Sequence, residues 1–284
     1  MATRKKTKAY PPEIYEKIQA FRLMDDPFMS KVFDGQKDAT ALLLRIILED
    51  AGIQILSVRT QVEVKNLQGR SIRIDIRARD SRGRILAVEV QRNDEGAGRK
   101  RARNISSVLD ANAPRPRDNV DKLPETYVIF ITEHDVLGSG LPIYHIDRVI
   151  RETGEDFGDQ THIIYVNGEN TDDTDLGWLM HDFRSKSADE MHYDVLADRV
   201  RYFKETEKGA GDMSDIMQEL MDDYAEDYAK KMAKKTSRSA ILKGFRGGFL
   251  TKEGAIAMYP GFSNTEIDAL YRQAQRPARR KQTI

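Results

Sequence analysis

The stretch Arg73–Gln91 leaves this chain the least freedom. It reads as Arg73-Ile74-Asp75-Ile76-Arg77-Ala78-Arg79, a turn over Asp80–Gly83, and Arg84-Ile85-Leu86-Ala87-Val88-Glu89-Val90-Gln91. Ile74, Ile76 and Ala78 are apolar at even positions, as are Leu86, Val88 and Val90, whereas the odd positions include Arg73, Asp75, Arg77, Glu89 and Gln91. Period-two alternation is the pattern of strands, and here it predicts two strands that bury their even faces. Those faces coincide only if paired positions sum to an even number, because a one-residue slip turns one apolar set outward. A three-residue loop, Ser81-Arg82-Gly83, meets that condition, with Gly83 free to take the left-handed position before the second strand. Asp75 then faces Glu89 and Arg73 faces Gln91. Two carboxylates across a ladder repel, and a divalent metal between them relieves the repulsion.

Asp75 with Glu89-Val90-Gln91 resembles the split D…E-x-K signature of the PD-(D/E)XK nuclease superfamily, in an E-x-Q form. The text around it is more specific. Asp26-Pro-Phe-Met-Ser-Lys-Val-Phe33, Leu42-Leu-Leu-Arg-Ile-Ile-Leu48, Leu141-Pro-Ile-Tyr-His-Ile-Asp147 and His162-Ile-Ile-Tyr-Val-Asn-Gly168 resemble segments of the PD-(D/E)XK nuclease family transposases, over about Phe21 to Phe203. The resemblance implies an α/β fold with a restriction-endonuclease-like PD-(D/E)XK core, its mixed central sheet flanked by helices. It further implies a metal-dependent DNA endonuclease that hydrolyses phosphodiesters in recombination or transposition. Asp75, Glu89 and the Val90 backbone carbonyl would hold Mg2+ or Mn2+, since hard cations prefer oxygen. Gln91 stands where the family pattern more often has Lys; an amide orients water or phosphate but supplies no charge. The superfamily often places a further acidic ligand near the start of a preceding helix, which is the position of Asp38. An Asp there also stabilises the helix dipole without metal, so both readings stand.

The balance of 46 basic and 46 acidic residues removes any global attraction to nucleic acid, so contact with DNA must be local. Arg99, Lys100, Arg101 and Arg103 open a helix just beyond Gln91, and together with Arg73 they are the candidate phosphate-binding residues. The competing reading is a solvated helix face.

There is no cysteine among the 284 residues, which excludes disulfides and thiolate metal sites. The basic N-terminus is followed by no apolar signal region, and no stretch is long enough to span a bilayer, so a cytoplasmic protein without membrane contact is expected. Histidines 134, 145, 162, 181 and 192 show no paired helical spacing such as H-E-x-x-H, and two fall inside strand patterns; both observations argue against zinc. P-loop, G-x-G-x-x-G and G-x-S-x-G motifs are absent too, so nucleotide hydrolysis and serine acyl transfer lack their usual machinery.

Along the chain, residues 1–10 read as a disordered basic tail, 11–208 as the nuclease-like domain and 209–284 as a helical region. Thr126-Tyr-Val-Ile-Phe-Ile-Thr132 is apolar and β-branched throughout, the pattern of a central strand buried on both faces. A helix from Met213 carries Ile216, Met217, Leu220, Tyr224 and Tyr228 along one side, a surface for a partner helix or a second copy of the chain. Thr251–Tyr259 and Asn264–Leu270 around Pro260-Gly261-Phe262-Ser263 form either a DNA-reading helix-turn-helix or a plain helical hairpin; Glu266 and Asp268 favour the hairpin. Rivals to the nuclease reading are a weakly catalytic DNA-binding relative, a structural helper protein, and a three-carboxylate RNase H-like transposase.

Overall fold

A computed structural model describes residues 12–65, 71–92, 94–113 and 119–275. The basic tail lies outside those residues, as do Asn66–Gly69, which the sequence makes the connection from a strand over Ile53–Val64 into the hairpin, and Pro114–Asp118 of the loop that the sequence places at Ala113–Asp118. The chain divides into two contact units, Met1–Ile216 and Met217–Ile284.

The first unit is mixed α/β. Helices α1 (Pro12–Ala20), α2 (Asp26–Phe33) and α3 (Lys37–Ile47) precede strands β1 (Ile55–Val64), β2 (Ile72–Asp80) and β3 (Ile85–Gln91). Helix α4 (Arg99–Asn112) then leads to β4 (Thr126–Thr132), β5 (Ile143–Ile146), β6 (Thr161–Asn167), α5 (Asp175–Arg184) and α6 (Asp194–Glu205). The described strands form one sheet in the order β1-β2-β3-β4-β6-β5. β1, β2 and β3 run antiparallel as a meander, β3, β4 and β6 are parallel, and β5 closes the edge antiparallel to β6. The β-branched run of β4 lies inside the sheet, buried along nearly its whole length, because α4 forms the crossover that covers one side of a parallel β3–β4 pair.

The hairpin keeps the register that residue parity dictates. Ile76 pairs with Val88, Ala78 with Leu86 and Arg79 with Ile85, and Gly83 takes φ +83° in the turn. Asp80 locks that turn. Its buried carboxylate accepts the N–H groups of Arg82 (3.0 Å) and Arg84 (2.9 Å) and the Arg84 Nε at 2.6 Å, and Arg84 reaches Asp50 at 3.0 Å.

Two features depart from simple alternation. β3 buries both faces, Ile85 through Val90, not the even face alone. β2 changes phase at Asp75: Ile74, Asp75 and Ile76 are buried in succession. Ile74 packs with Ile85, Ala87 and the α4 side chains Ala102, Ile105 and Leu109, whereas nearer the turn it is Arg77 and Arg79 that share a surface with Ile85 and the end of α4. Opposite Asp75 on β1, Gln61 sits at φ +51°, and the two residues make no ladder pair. A strained left-handed residue in one strand and a phase change in its neighbour are the marks of a local sheet distortion.

Beneath the sheet, Phe130 and Tyr165 stack at 5.1 Å under α4. Helices α2 and α3 pack on β1, and α5 and α6 on α3; Phe28 meets Phe203 at 6.1 Å and Phe33 meets Phe183 at 6.0 Å. Each such buried aromatic contributes on the order of 1.5–3 kcal/mol from apolar burial alone. The second unit is helical. Helix α7 (Glu207–Arg246) carries the chain into it, followed by α8 (Lys252–Met258) and α9 (Asn264–Ala274), with Ile241, Phe245, Ala255, Ile267 and Leu270 as its core. Met217, Leu220, Tyr224 and Tyr228, offered as a self-association stripe, have side chains outside the described residues.

Candidate active site

The β2–β3 ladder stops at Ile76 and Val88, and beyond it side chains replace strand-to-strand bonds. Asp75 Oδ2 accepts the Val90 N–H at 2.9 Å, and Glu89 Oε1 accepts the Asp75 N–H at 3.4 Å. Both carboxylates are almost closed to water, at 6% and 0% exposure. Arg101, from the first turn of α4, donates to Glu89 Oε2 at 2.7 Å. Burial, and after it the charge of Glu89, pushes the Asp75 carboxyl up to about 7. Burial also raises Glu89, against the opposing pull of Arg101. Two buried acids beside one guanidinium leave an excess of negative charge, so protons or another cation are favoured there.

Asp75 lines a cleft of about 1010 Å³ together with Val90, Gln91, Arg73, Lys100 and Arg101, whereas the fully buried Glu89 is not part of its wall. Most of the residues singled out from sequence are therefore brought together. Arg99 and Arg103 are exposed on α4 but do not line the cleft, and Asp38 is exposed in the first turn of α3, also outside the wall. The cleft adds Asp26, Arg92 and Asn104, which sequence reasoning assigned no role. Asp26 stands at the N-terminus of α2, and its charge raises both Asp75 and Glu89. Its signal was available: it heads the segment Asp26–Phe33 that carried the resemblance, but Asp25-Asp26-Pro27 also reads as an ordinary helix start.

An alternating ring of charges sets Asp26 in place. Asp25 binds Arg22 (3.7 Å) and Arg92 (2.8 Å), and Glu133 binds the same two arginines at 2.8 and 3.3 Å. It ties the start of α2 to the chain just beyond β3 and β4. Arg73 is mostly exposed and reaches Asp26 at 3.5 Å. Gln61 Nε2 donates to Asp26 Oδ1 (2.5 Å) and Ser30 (2.8 Å), while Gln61 Oε1 is the buried side-chain atom left without a hydrogen-bond partner among the described residues. Gln91 folds its amide oxygen against Gly96, where an added Cβ would come within 1.9 Å.

The donor chemistry suits a hard divalent ion. Asp75 and Glu89 are adjacent, buried and under-compensated, Asp26 adds a third carboxylate, and the backbone of Val90 lies in the same wall, so the set is all oxygen. α4 meanwhile places Arg99, Lys100 and Arg101 in its first turn with no acidic residue there. Cations at a helix N-terminus oppose the macrodipole, a local cost that an anionic ligand would offset.

The six-stranded mixed sheet flanked by helices is consistent with a PD-(D/E)XK core. Residues 31–176 match the PD-(D/E)XK nuclease family transposases; the match covers just over half of the chain, which belongs to that family. No curated protein and no solved structure matches it. Its function is accordingly nuclease- or transposase-related. No described helix is long and apolar enough to cross a membrane.

Proposed function

We propose that the protein is a metal-dependent DNA endonuclease acting in recombination or transposition, with Asp75 and Glu89 as its central residues. The observation that carries this reading is their burial side by side with a charge deficit, at the edge of a cleft walled by cations. Mg2+ or Mn2+ would be held by Asp75, Glu89 and the Val90 carbonyl, with Asp26 better situated than Asp38 to add a carboxylate. When bound, the cation supplies Lewis acidity toward the phosphate and lowers the pKa of water. Lys100 and Arg73 neutralise phosphates and fix the register of the duplex without reading bases. Arg101 holds the Glu89 carboxylate in one orientation, and Gln91 orients water or a phosphate oxygen through its amide.

The weakly catalytic DNA-binding alternative draws on one observation: Gln91 brings no charge, and its amide is turned onto Gly96. Incubation of the purified chain with supercoiled plasmid, in Mg2+ and in EDTA, separates the two. Nicking or linearisation that requires Mg2+ and is lost in Glu89→Gln supports the nuclease; plasmid retardation without cleavage supports the binding protein.

A further inference from the structure

Away from the cleft residues, the turn after α5 folds His192 back onto His181 and Asp182. The two imidazoles cross edge to face at 4.8 Å, and His192 stacks on Trp178 at 5.6 Å. Asp182 is fully buried. Its Oδ1 faces three nitrogens: the His192 backbone N–H at 2.8 Å, His192 Nδ1 at 3.2 Å and His181 Nδ1 at 3.5 Å. Oδ2 takes the Tyr193 N–H at 3.0 Å. An imidazole Nδ1 without its proton presents a lone pair to that oxygen, and a cation bound between them satisfies both. The imidazole separations are also long for hydrogen bonds to a carboxylate, which close to about 2.7–2.9 Å. Ligand atoms bound at about 2.0–2.2 Å around a tetrahedral zinc ion lie roughly 3.3–3.6 Å from one another, close to both separations.

We propose that His181, His192 and Asp182 bind one borderline divalent ion of the zinc class, at a site separate from Asp75 and Glu89. Two imidazoles and a carboxylate form a donor set for such ions, and water can complete the coordination because both histidines are about 40% exposed. Mg2+ disfavours imidazole, so the two sites sort their ions by chemistry. The ion ties the turn at 191–193 to the end of α5. The next residue, Phe183, accepts the Met24 N–H at 3.1 Å, and Met24 lines the cleft. The role is therefore structural, bracing the segment that presents Asp26. Helical-spacing rules miss this site because a turn, not one helix, joins residues 181 and 192.

The test uses the full chain freed of metal and titrated with Co2+ and then Zn2+. Expected are visible bands of four- or five-coordinate Co2+, displaced by one equivalent of Zn2+, and a Tm raised by several degrees in excess Zn2+. His181→Ala/His192→Ala should weaken Zn2+ binding at least tenfold and abolish the Tm shift, while Asp75→Asn/Glu89→Gln should keep both. Asp182 is left intact because it anchors backbone. In the unmodified protein, Zn2+ should also displace the imidazole NMR signals of two of the five histidines, a readout that needs no variant. Undisturbed histidine signals, or zinc binding that survives the histidine replacements, would overturn the proposal.

Discussion

The hairpin that organises this fold has a buried acid site at each end, and the two are built oppositely. Near the turn, the fully buried Asp80 is saturated: two backbone N–H groups and the Arg84 guanidinium serve its two oxygens. At the open end, Asp75 and Glu89 are also buried, yet they lean on each other and on Arg101, and burial raises both from their ordinary values, Asp75 to about 7. The depth of burial is alike. What differs is compensation, and a charge deficit maintained inside a fold is the better mark of chemistry than burial itself.

The strongest way to break this contrast is Asp80→Ala. Removing one partner of a buried pair leaves Arg84 with Asp50 alone and two backbone N–H groups without their acceptor, so denaturant unfolding should show a loss of about 3–5 kcal/mol, with cleavage per folded molecule unchanged. Equal loss from Asp75→Ala would mean the two ends are both structural.

Glu89→Gln should do the reverse. Divalent-ion affinity and cleavage should fall by more than the roughly 10–100-fold that loss of an outer ligand partner costs, while stability in metal-free buffer stays level or rises. The sign follows from the raised groups. In the folded state they hold protons that the unfolded chain has already released, so their contribution is complete below the ordinary carboxylate range and is lost as pH climbs through the raised values, about 7 for Asp75. Metal-free thermal scans should therefore show stability declining across that window in the parent and declining less in Glu89→Gln. Isothermal titration should show Mg2+ affinity rising over the same window, because the ion needs the deprotonated pair.

Lys100→Ala sharpens the contrast on the outer wall. Binding to every DNA sequence should weaken alike and the salt slope should drop by about one, whereas Arg103→Ala, outside the cleft wall, should change the slope less. The smallest effect is expected in the C-terminal unit, where Ser263 and Glu266 form a capping box at the start of α9 and Lys234, followed by the Ser263 N–H, draws Glu266 down to about 2. Ser263→Ala should cost about 1 kcal/mol of that unit's stability, measured by circular dichroism, with DNA cleavage untouched. Glu266 and Asp268, the acids that favoured a helical hairpin over a DNA-reading helix, are engaged with Lys234 and Lys252.

Much of the sheet was legible because parity is a strict constraint. Apolar positions on two short strands fix a register once a loop length is chosen, and Ile76↔Val88 obeys it. The phase change at Asp75 was not legible, since it depends on Gln61, fourteen residues upstream, adopting a left-handed conformation that no local pattern demands. The acidic pair could be named from the motif. Asp26 heads a segment that carried the resemblance, but an acidic residue before proline at a helix start has a sufficient local explanation, which hid its place at the cleft. Its approach to the cleft depends on the ring joining Arg22, Asp25, Arg92 and Glu133, contacts spanning up to 111 residues.

The gap in the β2–β3 ladder gives the molecule an internal gauge. The Val90 amide hydrogen is bonded to the Asp75 carboxylate, not to a strand carbonyl, so its exchange rate and its NMR shift follow whatever that carboxylate is doing. A proton or an ion taken up at Asp75 draws electron density from this bond, and the amide reports it. Titrations of the site can thus be followed at one backbone position, with no label and no turnover.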